Sequence, residues 1–82
     1  MPSAWSRRYS VVLRAYRQGV WHPVKVFDNS HGERQHHEHS YLGEVKQDPI
    51  VTDGTPNEAL GRALQKVKDN WRMDVDAWEE AR

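Results

Sequence analysis

Arg8-Tyr9-Ser10-Val11-Val12-Leu13-Arg14-Ala15-Tyr16-Arg17, Gln18-Gly19, Val20-Trp21-His22-Pro23-Val24-Lys25-Val26-Phe27-Asp28 is the stretch whose reading decides the fold. Residues 8–17 are rich in β-branched and aromatic side chains. Tyr9, Val11, Leu13 and Ala15 alternate onto one side, as in a strand with one buried face. Gln18-Gly19 reads as a turn, glycine supplying the positive φ that short hairpins need. Residues 20–28 read as the returning strand. With Arg17 opposite Val20, Leu13 opposes Val24 and Val11 opposes Val26. Tyr9, Val11, Leu13, Ala15, Val24 and Val26 are then the expected core face, with His22 and Asp28 at its two ends. Pro23 cannot donate to a ladder, so its nitrogen must point away from a partner strand.

Working outward, Asp28-Asn29-Ser30-His31-Gly32 is a turn by composition. A third strand is expected at about residues 35–42. His37, His39 and Tyr41 share one of its faces, and His36, Glu38, Ser40 and Leu42 share the other. A one-residue ambiguity in the loop leaves open which set faces the core. Val45-Lys46-Gln47 and Ile50-Val51 suggest a short fourth strand, interrupted by Asp48-Pro49. Thr55-Pro56-Asn57-Glu58 is a strong helix start, with Thr55 as N-cap, Pro56 at the first helical position and Glu58 completing a capping box. Leu60, Leu64, Val67 and Trp71, with Ala59 and Ala63 beside them, recur at helical spacing and should lie across the apolar sheet face. Gly61 costs about 1 kcal/mol relative to Ala inside a helix. Close helix–sheet packing is the expected reason for it. Either Asp74 caps a final short helix carrying Val75, Trp78 and Ala81, or the first helix runs on. The predicted class is α+β. A small antiparallel sheet of three to four strands, at about residues 8–51, packs on one long C-terminal helical region at about 56–82, in a single domain spanning 1–82.

Composition sets the limits. The chain has 82 residues, 37% apolar and 29% charged, with four Trp, three Tyr and one Phe. A domain of this size buries only roughly 60–65% of its unfolded surface. The core is therefore thin and rests on aromatics, and a homodimer would bury apolar surface that one copy leaves open. There is no cysteine, which removes disulfide, thiolate and cysteine–zinc chemistry. Met1 to Arg8 contain no long apolar run, so no signal peptide and no membrane span is expected, and the default compartment is cytoplasmic. Net charge is zero but uneven. Residues 1–27 carry Arg7, Arg8, Arg14, Arg17 and Lys25 and no acid. Residues 69–82 carry Asp69, Asp74, Asp76, Glu79 and Glu80 against Arg72 and Arg82. The first end suits phosphates and the last a basic partner, unless the two neutralise each other across the fold, which is the favoured reading.

Four of the five histidines lie between residues 31 and 39. Histidine changes charge near neutral pH and is the commonest metal ligand. His37 and His39, two apart on a strand, point the same way. They can share a zinc-like divalent ion with a third ligand such as His22, His31, Asp28 or Glu33. They can equally divide acid and base work on an RNA phosphodiester, with no cofactor required. Arg34, or an arginine of the first strand, would then stabilise phosphate charge. Asp28 or Glu38 would orient a ring, and Tyr41 or Trp21 would stack on a base. The bland reading is a solvated hairpin whose Asp28 and Asn29 only make a turn. Gly-rich phosphate loops, dinucleotide fingerprints, serine-nucleophile motifs and classical zinc fingers are absent.

Val26-Phe27-Asp28-Asn29, then Gly32, then His37-x-His39 resembles the pattern of TumE-type toxins of prokaryotic toxin–antitoxin systems. A related family of uncharacterised small proteins shares the His-Gly turn and the His-x-His strand. The first resemblance implies a growth-inhibiting toxin acting on RNA and restrained by a cognate antitoxin protein. Asp28, Asn29, His37 and His39 are the residues carried over; His31 is a binding candidate apart from the resemblance, with Asn29, Tyr41 and Trp21. The chain departs from the pattern in His31 and His36 and in its longer helix. The alternative expectation is a non-catalytic metal- or protein-binding module.

Overall fold

The computed structural model describes residues 8–81. Its elements run β1 (Ser10–Arg17), β2 (Val20–Asp28), β3 (His36–Leu42), β4 (Val45–Lys46), β5 (Ile50–Thr52) and α1 (Pro56–Glu80). All strand pairs are antiparallel. The order is β1-β2-β3-β4, with β5 also against β3. The expected interrupted fourth strand is thus two short strands sharing one edge of β3. β4 lies against Tyr41 and Leu42, and β5 against His36 to Glu38. The α1 helix packs across β1, β2 and β3 on one side of the sheet. Among the described residues nothing covers the other side. No helix there is long and apolar enough to cross a membrane.

The β1–β2 turn forms as expected, with Arg17 opposite Val20 and both Gln18 (φ 53°) and Gly19 (φ 81°) left-handed. Such a two-residue turn matches the twist of its strands. The register beyond it does not hold. Arg14 faces Pro23 and Leu13 faces Lys25, so Val24 is an extra residue in β2, a bulge. Pro23 explains its place, because a residue without an N–H breaks the ladder there. The consequence is a shift of faces. Val11 opposes Phe27, and Val26 opposes Val12 on the uncovered side. Val24 and Phe27 are both buried although three residues apart. Phe27 therefore replaces Val26 in the core.

The same register settles β3. Phe27 faces Glu38 and Lys25 faces Ser40, which turns His36, Glu38 and Ser40 toward the helix and His37, His39 and Tyr41 away from it. The helix-facing side is not purely apolar. Lys25 reaches Glu38 (3.5 Å) and Asp74 (3.2 Å), and Lys66 reaches Glu38 (2.8 Å). Lys25, Glu38 and Asp74 are largely removed from water. Charges in such a place must be paired, since losing one partner strands the other.

That requirement sets the roll of α1. Asp74 and Lys66 must face the sheet, so the buried helix residues are Ala59, Ala63 and Trp78. The expected stripe is displaced sideways, with Leu64 54% and Trp71 45% exposed. Small Ala59 and Ala63 allow close approach. Trp78 fills the far end against His22, with ring centres 5.5 Å apart. Burying each large side chain stabilises by roughly 1.5–3 kcal/mol. Gly61 has no part in this packing, since a Cβ built there meets nothing within 4 Å. The helix start is as expected. Thr55 Oγ1 accepts from Glu58 N–H (3.3 Å) and donates to Glu58 Oε1 (2.8 Å). The helix then runs unbroken through Asp74. The basic start and acidic end of the chain do meet, through Arg17–Glu79 and Lys25–Asp74.

Candidate functional site

Asp28 to Gln35 form the loop that places the histidines. Asp28 Oδ1 accepts from Ser30 N–H (3.3 Å) and Oγ (3.1 Å). Gly32 N–H donates to Asn29 C=O (3.1 Å), and Gln35 N–H donates to Gly32 C=O (2.9 Å). Asn29 is fully buried at 0% exposure. Its Oδ1 accepts from Tyr9 N–H (2.8 Å) and its Nδ2 donates to Glu33 C=O (3.2 Å). The Asp-Asn pair is thus the loop's internal frame. Asn29 does not line a binding surface, as the sequence reading had it.

That frame folds His31 back over the sheet, its ring centre 4.7 Å from that of His37. His39 follows on the same face, 5.8 Å further on. Asp28 is the direct cross-strand partner of His37, and Val51 lies on His37's other side. His31, His37, His39 and Asp28 therefore come together on the uncovered face. His39 Nδ1 is enclosed and has no hydrogen-bond partner. A proton there would be a buried donor without an acceptor, so in the neutral ring it sits on Nε2.

Other candidates lie elsewhere. His22 is on the helix side against Trp78, so it cannot complete an ion site with His37 and His39. Among the described residues no three His, Asp or Glu side chains converge as metal ligands would. Arg34 donates to Asp53 (3.1 Å) at the foot of the helix. The Asp53 carboxyl is held below its ordinary range by the Gly54 N–H first, and then by Arg34. Trp21, 63% exposed, sits at the hairpin tip edge-on to Tyr16 (5.1 Å). It shares the uncovered face with the histidines, but lies near its far end. A broad, shallow groove there is lined by Val12, Arg14 and Trp21. Tyr41, half-buried, is beside His39 on that face and pairs with Lys46.

Sequence reasoning missed the pairing of half-buried Tyr9 with buried His36. His36 Nε2 lies 2.8 Å from Gly54 C=O, and Nδ1 lies 3.0 Å from the Tyr9 hydroxyl. A carbonyl only accepts, so Nε2 carries the proton and Nδ1 accepts from Tyr9. The bonds tie β1, β3 and the residue before the N-cap together. Burial raises the Tyr9 phenol above its ordinary value, and the charge of Asp28 adds to this. A cavity of about 60 Å³ adjoins them between α1 and the β3–β5 edge, lined by Tyr9, Phe27, His36, Glu38, Arg62 and Lys66 among others. It has room for a few waters. The available signal was the His-His dipeptide itself, because neighbours on a strand face opposite ways and one of the two had to point inward.

No family model matches this chain, and the searches found no similar curated protein or solved structure.

Proposed function

We propose that the uncovered sheet face binds single-stranded RNA and cleaves it without a metal, in the manner of a small growth-inhibiting toxin. The observation that carries this reading is the row of imidazoles His31, His37 and His39, at 4.7 and 5.8 Å, on an open surface. Two neighbouring rings can reach one phosphate together. His37, next to Asp28, takes the proton from a ribose 2′-hydroxyl, an imidazolium at the exposed His31 beside it gives one to the departing 5′-oxygen, and His39 donates a hydrogen bond from Nε2 to a phosphate oxygen. Arg14, on the same face and with no carboxylate partner among the described residues, is the cation available to phosphate oxygens. Of the two cations expected from the sequence, Arg34 or an arginine of the first strand, it is the second. Tyr41 and Trp21 offer base-stacking surfaces.

The test is cleavage of a mixed-sequence single-stranded RNA by purified protein in excess chelator. Loss of at least about 100-fold in His37→Ala and in His39→Ala, with 2′,3′-cyclic phosphate ends in the wild type, supports the reading. Equal cleavage by all three proteins would sink it. A second reading, in which the same face docks a protein such as an antitoxin, is favoured by the exposed apolar Trp21, Tyr16 and Val51. It predicts binding without turnover.

A further inference from the structure

A long helix that buries only Ala59, Ala63 and Trp78 leaves much apolar surface in water. Leu60, Leu64, Val67, Trp71 and Val75 form one stripe beside the sheet-packed face, and Leu64 and Trp71 are its most exposed members. The stripe reads almost the same in both directions. About a centre at Val67–Lys68, Leu60 matches Val75 and Leu64 matches Trp71. A two-fold contact needs this kind of self-complementary patch.

Two further observations point the same way. Gly61 is the one position on this side without a side chain, and nothing stands within 4 Å of a Cβ there. Gly61, Leu64, Gln65 and Lys68 outline a hole one turn from Leu64, into which a large side chain can seat. The charges are also arranged against the helix's own dipole. Residues 56–68 carry Arg62, Lys66 and Lys68 against Glu58. Residues 69–80 carry Asp69, Asp74, Asp76, Glu79 and Glu80 against Arg72. Basic groups toward the N-terminus and acidic groups at the C-terminus are unfavourable for a lone helix. Among the described residues, Lys66, Asp74 and Glu79 are already paired with the sheet, but Arg62 and Lys68 in the first half and Asp69, Asp76 and Glu80 in the second are not, and laid antiparallel on a second copy these two sets face each other.

We infer that α1 is a self-association surface: two copies pair their helices antiparallel along Leu60–Val75, with Trp71 of each copy seated between Gly61 and Leu64 of the other. Arg72, now over the Trp71 ring at 5.1 Å, moves aside or stays as the outer wall of that seat. The contact lies beside the helix and leaves the histidine face open, so it does not depend on the proposed RNA chemistry.

Sedimentation of the full chain at micromolar concentration is the test. The wild type should run as a dimer that weakens with added salt. Leu64→Glu/Trp71→Glu should run as a monomer with unchanged helical circular dichroism. Gly61→Gln separates the inference from a lone helix most sharply. Without a partner it only raises helix propensity and melting temperature. In the paired form it occupies the seat of Trp71 and weakens the dimer at least about tenfold. Because the chain has no cysteine, Lys68→Cys should cross-link to its own copy near the two-fold, while Asn57→Cys should not. A monomeric wild type, a dimer indifferent to Leu64→Glu/Trp71→Glu, or cross-linking through position 57 would each overturn the inference.

Discussion

His36 and His37 are neighbours in sequence and opposites in environment. His36 is enclosed, with both ring nitrogens committed to Tyr9 and Gly54. His37 lies on the uncovered face, between the imidazoles of His31 and His39 and beside Asp28 and Val51. The two faces of the sheet differ in the same way. One is filled by Phe27, Val24, paired charges and Trp78. The other is a surface of histidines, tyrosines and Arg14 on which no helix packs among the described residues. The contrast teaches that a histidine count says little until each ring is assigned a side, and that side is fixed by residues far from it.

The contrast can be broken first from the covered side. Trp78→Ala removes the largest fully buried side chain and should cost about 3–5 kcal/mol in urea unfolding. A cost under 1 kcal/mol would mean that α1 is not docked as described. Next in size, Asn29→Ala leaves the Tyr9 N–H and the Glu33 carbonyl without their partner. It should cost about 2–3 kcal/mol. It should also blur the His31–His37 contact, visible as altered imidazole resonances.

A smaller effect belongs to pH. The Tyr9 phenol lies above its ordinary value in the folded chain. Its contribution to stability is therefore complete below about pH 10 and is lost as pH climbs through the raised value. Wild type should lose more stability than Tyr9→Phe between about pH 9 and pH 11, and identical losses would remove Tyr9 from the account. At the acid end the sign reverses. Thr55 bonds hold Glu58, and the Gly54 N–H and Arg34 hold Asp53, below the ordinary carboxylate range. Their contributions are present above about pH 4 and fade as pH falls through the lowered values. Smallest of all, His37→Ala should move stability by no more than about 0.5 kcal/mol, even where it abolishes cleavage. A large destabilisation would place His37 with His36 and erase the comparison.

Much of this was legible from residue types alone. The hairpin, its turn, the helix cap and the α+β class rest on local signals: alternation, positive φ and Thr55-x-x-Glu58. The errors arose where a local rule met a distant demand. Alternation in β2 predicted Val26 inward, but Pro23 inserted a bulge and Phe27 took its place. Helical spacing predicted Leu64 and Trp71 inward, but Lys25 and Glu38 required Asp74 and Lys66. Grouping His37 with His39 followed from strand period two. The approach of His31 did not, because it depends on Asn29 bonding to Tyr9 twenty residues earlier.

The single extra residue at Val24 has a consequence for how this surface can change. It resets the phase of β2, so the tip of the hairpin and its base alternate half a period apart. Deleting Val24 would leave every other side chain on its present side, because Pro23 and Lys25 would then alternate regularly with the Arg14–Pro23 and Leu13–Lys25 pairs unchanged. Keeping Val24 but losing the bulge would instead turn Lys25 and Phe27 to the uncovered side and Val26 toward the helix, with no substitution at any of the three. In this small sheet, one irregular step is itself a control over which chemical groups the protein shows to the outside.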